Sequence, residues 1–164
     1  MKSSFSIRAI AAGMSLAALS ACGSEPADDA ATLTSDAPPV IEERQANFEG
    51  ISDAFKVIRT QLEGEAPDFA VIEAQATDIN ARAQLVNTYF PEGTSVDDGH
   101  DTEALAKIWE EPAKFEEAAQ NFVAASETMV TLAGEGDAAA IGAQVGQLGG
   151  TCKACHDQFR LKTD

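Results

Sequence analysis

The residues with the clearest capacity for chemistry lie near the C-terminus, in the run Cys152-Lys153-Ala154-Cys155-His156. Two thiols three positions apart, followed at once by an imidazole, form the attachment signature of a c-type haem. The spacing suits this chemistry, because two thiols must bond to the two vinyl groups of one porphyrin while a histidine reaches the iron. The pattern therefore predicts one covalently bound haem, attached at Cys152 and Cys155, with His156 as the iron ligand.

The same residue types also occur in redox dithiols and in zinc sites. A thioredoxin-like dithiol needs a βαβ setting, and the sequence lacks strand signals. Tetrahedral zinc needs a fourth ligand, and the domain offers no further cysteine. Only eight residues follow His156, and none is a methionine that could supply a second axial ligand from that side.

The elements that position this motif are predicted to be helices. Four segments carry apolar residues at spacings of three and four, which places those residues on one helical stripe. The stripes run from Ile41 to Leu62, from Phe69 to Phe90, from Phe115 to Leu132 and from Ile141 to Phe159. Pro91 stops the second, Pro112 suits the first turn of the third, and Gly134 suits its end. The pattern predicts an all-α fold, an antiparallel up-down-up-down four-helix bundle.

The first 21 residues have the layout of a secretory signal peptide. Lys2 and Arg8 precede an apolar run that is too short for a good transmembrane span. The run ends in Leu-Ser-Ala directly before Cys22, which resembles the lipobox of bacterial lipoproteins. We therefore expect cleavage before Cys22, its lipidation, and a periplasmic protein anchored to a membrane; ordinary secretion is the alternative. Residues 22–39 predict a disordered tether, and residues 40–164 the folded domain.

The chain is strongly acidic, with 27 acidic and 11 basic residues and a formal net charge of -16. Removal of Lys2 and Arg8 with the leader changes this by two, to -18. This charge argues against nucleic acid or an anionic membrane surface as a partner. It permits steering of a basic redox partner protein, although acidity alone does not identify one.

The motif and the helical pattern together resemble the class II c-type cytochromes, and specifically the cytochrome c-prime (c') family. The resemblance covers about residues 40–164 and rests on GGTCKACHDQFR near the end, FPEGTS after the second helix, IWEEPAKF before the third and ERQANFEGI in the first. It implies a haem inside a bundle that exchanges single electrons or binds diatomic gases such as nitric oxide and carbon monoxide. It also implies a possible homodimer through the first two helices.

Bundle geometry predicts which other residues surround the haem. The end of the fourth helix lies beside the start of the first, the end of the second and the start of the third. Large aromatics occupy these regions, either around the haem or as ordinary core: Phe48, Tyr89, Phe90, Trp109 and Phe115. Arg44 falls on the apolar stripe of the first helix, where a haem propionate would supply the anion that a buried arginine needs. The alternative is an arginine that snorkels at the helix end.

The resemblance also implies the surroundings of the iron. Arg160 becomes a proximal pocket residue, with a surface role facing Asp157 or Asp164 as the alternative. Phe48 faces the open side of the iron, where methionine-ligated relatives hold a methionine. A phenyl ring has no lone pair, and Met129 lies fourteen residues after Phe115, roughly 20 Å along a helix.

We therefore expect a five-coordinate iron with Phe48 as a lid, while His100, in an acidic loop, is expected to be solvated and remains the alternative ligand. An apolar distal pocket lacks the acid or base that peroxide cleavage requires. The expected function is electron transfer, binding of small gases, or both, and not catalysis. Dedicated nitric oxide scavenging and a haem-based reductase are the alternatives.

Overall fold

The computed structural model describes residues 37–162, so the predicted signal peptide and Cys22 lie outside the described residues. The helices are α1 (Pro39–Glu63), α2 (Phe69–Gln84), the single turn α3 (Lys107–Glu110), α4 (Pro112–Glu135) and α5 (Ala138–Phe159). In addition, Val86–Tyr89 forms a 3-10 turn. Between residues 37 and 162 there is no strand, only an isolated bridge between Ala104 and Arg160.

The four long helices form the predicted bundle. Helix α1 packs on α2, α2 on α4, and α4 on α5, which is the order of an up-down-up-down arrangement. The all-α four-helix fold is therefore confirmed. Among the described helices, none combines the length and the apolar character that crossing a membrane would demand.

Helix starts follow local chemistry that the sequence already contains. The Asp68 carboxylate accepts hydrogen bonds from the backbone N–H groups of Ala70 and Val71, at 3.0 and 3.2 Å, and so caps α2. Asp137 caps α5 in the same way. Each cap satisfies backbone donors that have no partner within the helix. Helices α1 and α4 instead begin with a proline in the first turn, as the sequence predicted for Pro112 in α4.

Two helix ends differ from the sequence-based expectation. Helix α2 ends at Gln84 rather than just before Pro91. The Leu85 N–H donates to carbonyls of the last helical turn, and the chain then continues as the 3-10 turn. Helix α4 continues through Gly134 and ends at Glu135, where Gly136, with a φ of 72°, caps it. The Gly136 N–H bonds to carbonyls of the preceding turn, as a left-handed cap does. Periodicity located both stripes, but backbone hydrogen bonding determines where each helix stops.

The bundle core is mainly apolar, with a few polar links between its helices. Its most deeply buried large side chains are Ile41, Ile58, Ile72, Ile79, Met129, Ile141 and Leu148. The Asn80 amide donates to the Ser126 hydroxyl at 2.9 Å, and that hydroxyl donates to the Val123 carbonyl at 2.7 Å. This pair fixes the position of α2 along α4, because sliding one helix past the other would separate the two bonded groups.

Replacement of glycine by alanine should have opposite effects on stability at Gly136 and at Gly142. Gly136→Ala forces a Cβ into the left-handed region and should lower the free energy of unfolding by about 1–2 kcal/mol. Gly142 lies exposed within α5 with open space around it. Gly142→Ala should therefore raise the free energy of unfolding by roughly 0.5–1 kcal/mol. Denaturant unfolding of the haem-loaded variants measures both, and equal effects would contradict this account of the α4 terminus.

Candidate haem site

A cavity of about 1170 Å³ lies between α1, α4, α5 and the loop that precedes α3. It exists because α1 and α5 contact each other at few positions, whereas the other neighbouring helices pack closely. Its volume exceeds the roughly 300–1,000 Å³ of most small-molecule sites. Six phenyl rings contribute to its lining: Phe48, Phe55, Phe90, Phe115, Phe122 and Phe159. The space therefore suits a large apolar group.

The two cysteines and the histidine of the motif all line this cavity. Cys152 and Cys155 are half-buried free thiols, and burial raises the pKa of both, that of Cys155 to about 11. The His156 ring is more exposed, yet the wall desolvates it enough to lower its pKa, with the Arg160 charge as a second cause. The thiols are thus protonated and the imidazole neutral at pH 7, and neutral imidazole is the form that binds a metal.

The arrangement fits a covalently attached haem better than the other candidates. Two thiols and an imidazole lie on one wall of an apolar cavity large enough for a porphyrin. Among the described side chains, no group of three or more His, Cys, Asp or Glu could hold a metal ion by itself, which argues against zinc. The helical setting argues against a thioredoxin-like dithiol. The fold thus provides both the attachment points and the space.

Arg44 is buried beside the cavity, with 3% of its surface exposed. One terminal nitrogen donates to the Tyr89 carbonyl at 3.4 Å and the Thr94 hydroxyl at 3.2 Å. The other donates to the Thr94 carbonyl at 3.0 Å and the Thr102 hydroxyl at 2.8 Å. The guanidinium also lies 4.6 Å from the centre of the Phe90 ring, a cation–π contact.

These partners change the expectation for Arg44. The side chain does not snorkel, but its acceptors within the protein are neutral oxygens rather than an anion. Burial lowers the pKa of the guanidinium, which nevertheless stays protonated at neutral pH. Contact with a haem propionate therefore stays a prediction.

The predicted aromatic cluster exists, although two of its predicted members lie apart, and one of these, Tyr89, is absent from the cavity lining. Ring centroids are separated by 6.4 Å between Phe48 and Phe90, 4.8 Å between Phe90 and Phe115, and 5.4 Å between Phe115 and Phe159. Trp109 does not line the haem cavity. Its ring lies 6.3 Å from Phe90, and its Nε1 donates to the Phe90 carbonyl at 3.1 Å. Trp109 thus supports a lining residue instead of facing the cavity, because α3 carries it beyond Phe90.

Arg160, expected near His156, does line the cavity at the end of α5. Its Nε and a terminal nitrogen each lie 2.5 Å from one carboxylate oxygen of Glu103. Asp157, one partner considered from sequence, pairs with Lys153 instead, and Asp164 lies outside the described residues. Arg160 is therefore half-exposed at the cavity rim and tied to the loop before α3.

The two alternative iron ligands occupy different places. Met129 is fully buried in the core and is absent from the cavity lining, in agreement with its position far along α4. His100 lines the cavity, and its Nε2 lies 3.1 Å from the Gly93 carbonyl. The expectation of a simply solvated histidine is thus incomplete. Its ligation of the iron stays a prediction.

Sequence reasoning missed the structure of residues 91–106, here called the covering loop. The sequence predicts only a solvated His100 in this loop, yet Thr94, Ser95 and Thr102 are buried. The Asp98 carboxylate accepts hydrogen bonds from the Ser95 hydroxyl at 2.6 Å and the Ser95 backbone N–H at 2.9 Å, and these bonds lower the Asp98 pKa. The three hydroxyl residues among the acids were the available signal.

The covering loop is also held to the end of α5 by backbone hydrogen bonds. The Leu105 N–H donates to the Phe159 carbonyl at 3.0 Å, and the Leu161 N–H donates to the Glu103 carbonyl at 2.8 Å. These bonds flank the bridge between Ala104 and Arg160. The loop therefore forms a fixed wall of the cavity.

Comparison with known proteins agrees with this site. Residues 39–160 match the family model described as Cytochrome C'. A cytochrome c' of Rubrivivax gelatinosus is 38% identical over 123 residues, covering 74% of this chain and 94% of that protein. A solved cytochrome c' with ligand-controlled dimer dissociation is 31% identical, with a TM-score of 0.70 and coverage of 76% and 95%.

A nitric oxide complex of an L16I mutant of the Alcaligenes xylosoxidans cytochrome c-prime is 28% identical to this chain. Its TM-score is 0.67, and the match covers 75% of this chain and 94% of that one. The likeness extends over the whole bundle in each case.

The Arg44 contacts predict that loss of the Thr102 hydroxyl lowers the stability of the protein. Thr102→Val keeps the side-chain shape but leaves a buried guanidinium donor without its 2.8 Å acceptor. The free energy of unfolding should fall by about 1–3 kcal/mol, the cost of an unsatisfied buried polar group. Thr128→Val is the matched control, since that hydroxyl is exposed and bonds only within α4. The control should change stability by less than about 0.5 kcal/mol; equal losses in a denaturant titration would contradict the role of Thr102.

Proposed function

Because this chain belongs to the cytochrome c' family and binds one covalently attached c-type haem, we propose that it binds small neutral gases and exchanges single electrons. The gases are nitric oxide and carbon monoxide, taken up at a five-coordinate iron. The observation that carries the proposal is Phe48, a side chain without a lone pair that lines the cavity where the family resemblance places the open side of the iron.

Three residues of α5 would hold the haem. The sulfurs of Cys152 and Cys155 would attach the macrocycle, and the His156 imidazole would bind the iron. When bound, the haem supplies a redox-active iron that accepts a diatomic ligand. The surrounding apolar side chains give the cavity an apolar lining, and the helix keeps the thiols and the imidazole in a fixed relation.

The nature of the cavity wall favours gas binding over catalysis. Phe48 and its neighbour Phe90 offer neither an acid nor a base. The donors of Arg44 nearest to Phe90 are occupied by carbonyl and hydroxyl oxygens. Peroxide cleavage needs a proton donor or acceptor positioned beside the iron, so we infer that the protein is a gas and electron carrier and not a peroxidase. The nitric oxide complex known for a relative supports the same choice of ligand.

Electron transfer is the second activity, and the exposure of α5 favours it. The motif residues border the cavity from half-buried to exposed positions, so an attached haem would have an edge near solvent. A net charge of -16 suits a basic partner protein, since opposite charge steers the encounter. Dedicated nitric oxide scavenging or a haem-based reductase would use the same cavity and remain alternatives. Dimer dissociation in one structural relative supports a homodimer as the assembly.

Replacing the proposed lid tests the coordination state. The unmodified protein should be high-spin in both oxidation states and should bind carbon monoxide when ferrous. Phe48→Met places a thioether at the open position, so the iron should become low-spin and gas affinity should fall. Phe55→Met is the matched control, because Phe55 lines the same cavity from α1 but lies seven residues on, about 10 Å along the helix. Visible and electron paramagnetic resonance spectra measure the spin state.

A low-spin iron in the unmodified protein would refute the open coordination position. Substitution of His100 would then show whether that residue is the sixth ligand. A spin change in both methionine variants would refute the specific position of Phe48.

The proposed location is the periplasm, with the protein anchored to a membrane through lipid on Cys22. The support comes from the sequence before residue 37: a basic start, an apolar run, and Leu-Ser-Ala before the cysteine. Cys22→Ser should release the protein from the membrane fraction into the soluble periplasmic fraction, while haem staining is unchanged. Cell fractionation with mass spectrometry of the N-terminus measures this. An unmodified chain that is soluble and cleaved elsewhere would contradict the anchor.

A further inference from the structure

A second, smaller cavity of about 420 Å³ lies against the haem cavity. Three residues, Phe90, Ile108 and Phe115, line both spaces. The remaining residues of the smaller cavity are Asn87, Glu92, Trp109, Pro112 and Glu116. We call this space the outer cavity.

The wall between the two cavities is one side chain thick. Ile108 is 4% exposed and Phe115 is 8% exposed, although each borders a void on two sides. Phe90 completes the wall and is only half-buried. Its ring also meets Phe48, at 6.4 Å between centroids. A single ring thus separates the outer cavity from the side chain proposed to cover the iron.

The outer cavity has an apolar inner wall and a polar, acidic rim. Its wall toward the haem cavity consists of Phe90, Ile108 and Phe115. The Trp109 N–H is already bonded to the Phe90 carbonyl, so it offers no free donor. The carboxylates of Glu92 and Glu116, on exposed residues, disfavour anions. The apolar inner wall is therefore the part of the outer cavity that suits a small neutral molecule, such as xenon or a diatomic gas.

We propose that the outer cavity is a docking site for neutral diatomic gases and the entrance by which they reach the haem cavity, with the Phe90 ring as the gate. This inference rests on the proposed gas-binding function. Movement of one ring joins the two spaces, and the same movement loosens the packing against Phe48. The competing route is the cavity's own opening between α1 and α5.

Filling the outer cavity tests the route. Asn87 is exposed and lies in the 3-10 turn at the rim, so Asn87→Trp places an indole in the cavity with little demand on the core. Leu85→Trp is the matched control, because Leu85 is 45% exposed two residues earlier and lines neither cavity. Both variants are compared with the unmodified haem-loaded protein by laser photolysis of the carbon monoxide complex.

The expected result separates a route from a binding contact. In Asn87→Trp the association and dissociation rate constants should both fall severalfold, by the same factor, with the dissociation constant unchanged. A blocked passage slows entry and exit equally, because it alters neither the free nor the bound state. Phe90→Leu, with a smaller gate, should raise the association rate constant, while its dissociation constant is free to change because Phe90 also packs against Phe48. Crystals under xenon pressure should hold xenon beside Phe90 and Phe115, and Asn87→Trp should lose it.

Several outcomes would overturn the inference. Rates equal to those of Leu85→Trp, or an outer cavity without xenon, would exclude this entrance. A changed dissociation constant with unchanged association would show that position 87 affects the bound gas and not its passage. Failure of the unmodified protein to bind carbon monoxide or nitric oxide would instead overturn the gas-binding function, and the inference with it. Normal affinity with unaltered rates would overturn the entrance alone.

Discussion

The buried guanidinium of Arg44 holds together the end of the bundle that carries the site. A charge removed from water needs hydrogen-bond partners, and those partners come from chain segments far apart in sequence. The Tyr89 carbonyl fixes the turn after α2, while Thr94 and Thr102 fix both ends of the covering loop. Because that loop also bonds to the end of α5, one buried cation links α1 to the turn after α2, to the covering loop and, through the loop, to α5. The cavity can stay open because its edges are tied together by polar contacts instead of apolar packing.

One physical cause also sets the charge state of the chemical groups. Burial disfavours charge, so it raises the pKa of the Cys152 and Cys155 thiols and lowers that of the His156 imidazole. All three groups are thereby neutral in the same apolar space. The ion pair of Arg160 with Glu103 lies at the rim, where solvent reaches both charges. Apart from the buried Arg44, the charged side chains of the lining lie at exposed or half-exposed positions.

The sequence allowed accurate prediction wherever a residue's neighbours lie a fixed number of positions away. The haem motif, the four helical stripes and the apolar-face position of Arg44 all follow from spacing. It was less informative where position depends on contacts between distant segments. Loop packing has no periodic signal in the sequence. It determines the early end of α2, the burial of Thr94 and Thr102, and the displacement of Trp109 behind Phe90. The acidic residues around His100 suggested that this histidine is solvated, whereas the buried hydroxyl residues of the covering loop determine the position of the loop.

The order of the helices along the chain has a consequence for assembly. The extensive contacts join consecutive long helices, α1 with α2, α2 with α4, and α4 with α5, so most pairings have a short sequence separation and form without a costly loop closure. The pair most distant in sequence, α1 and α5, is also the pair that hardly touches. A chain that emerges from its N-terminus completes three of the four long helices before Cys152 exists. The polypeptide can thus form most of the bundle before the haem is attached. The haem would then fill the gap between α1 and α5.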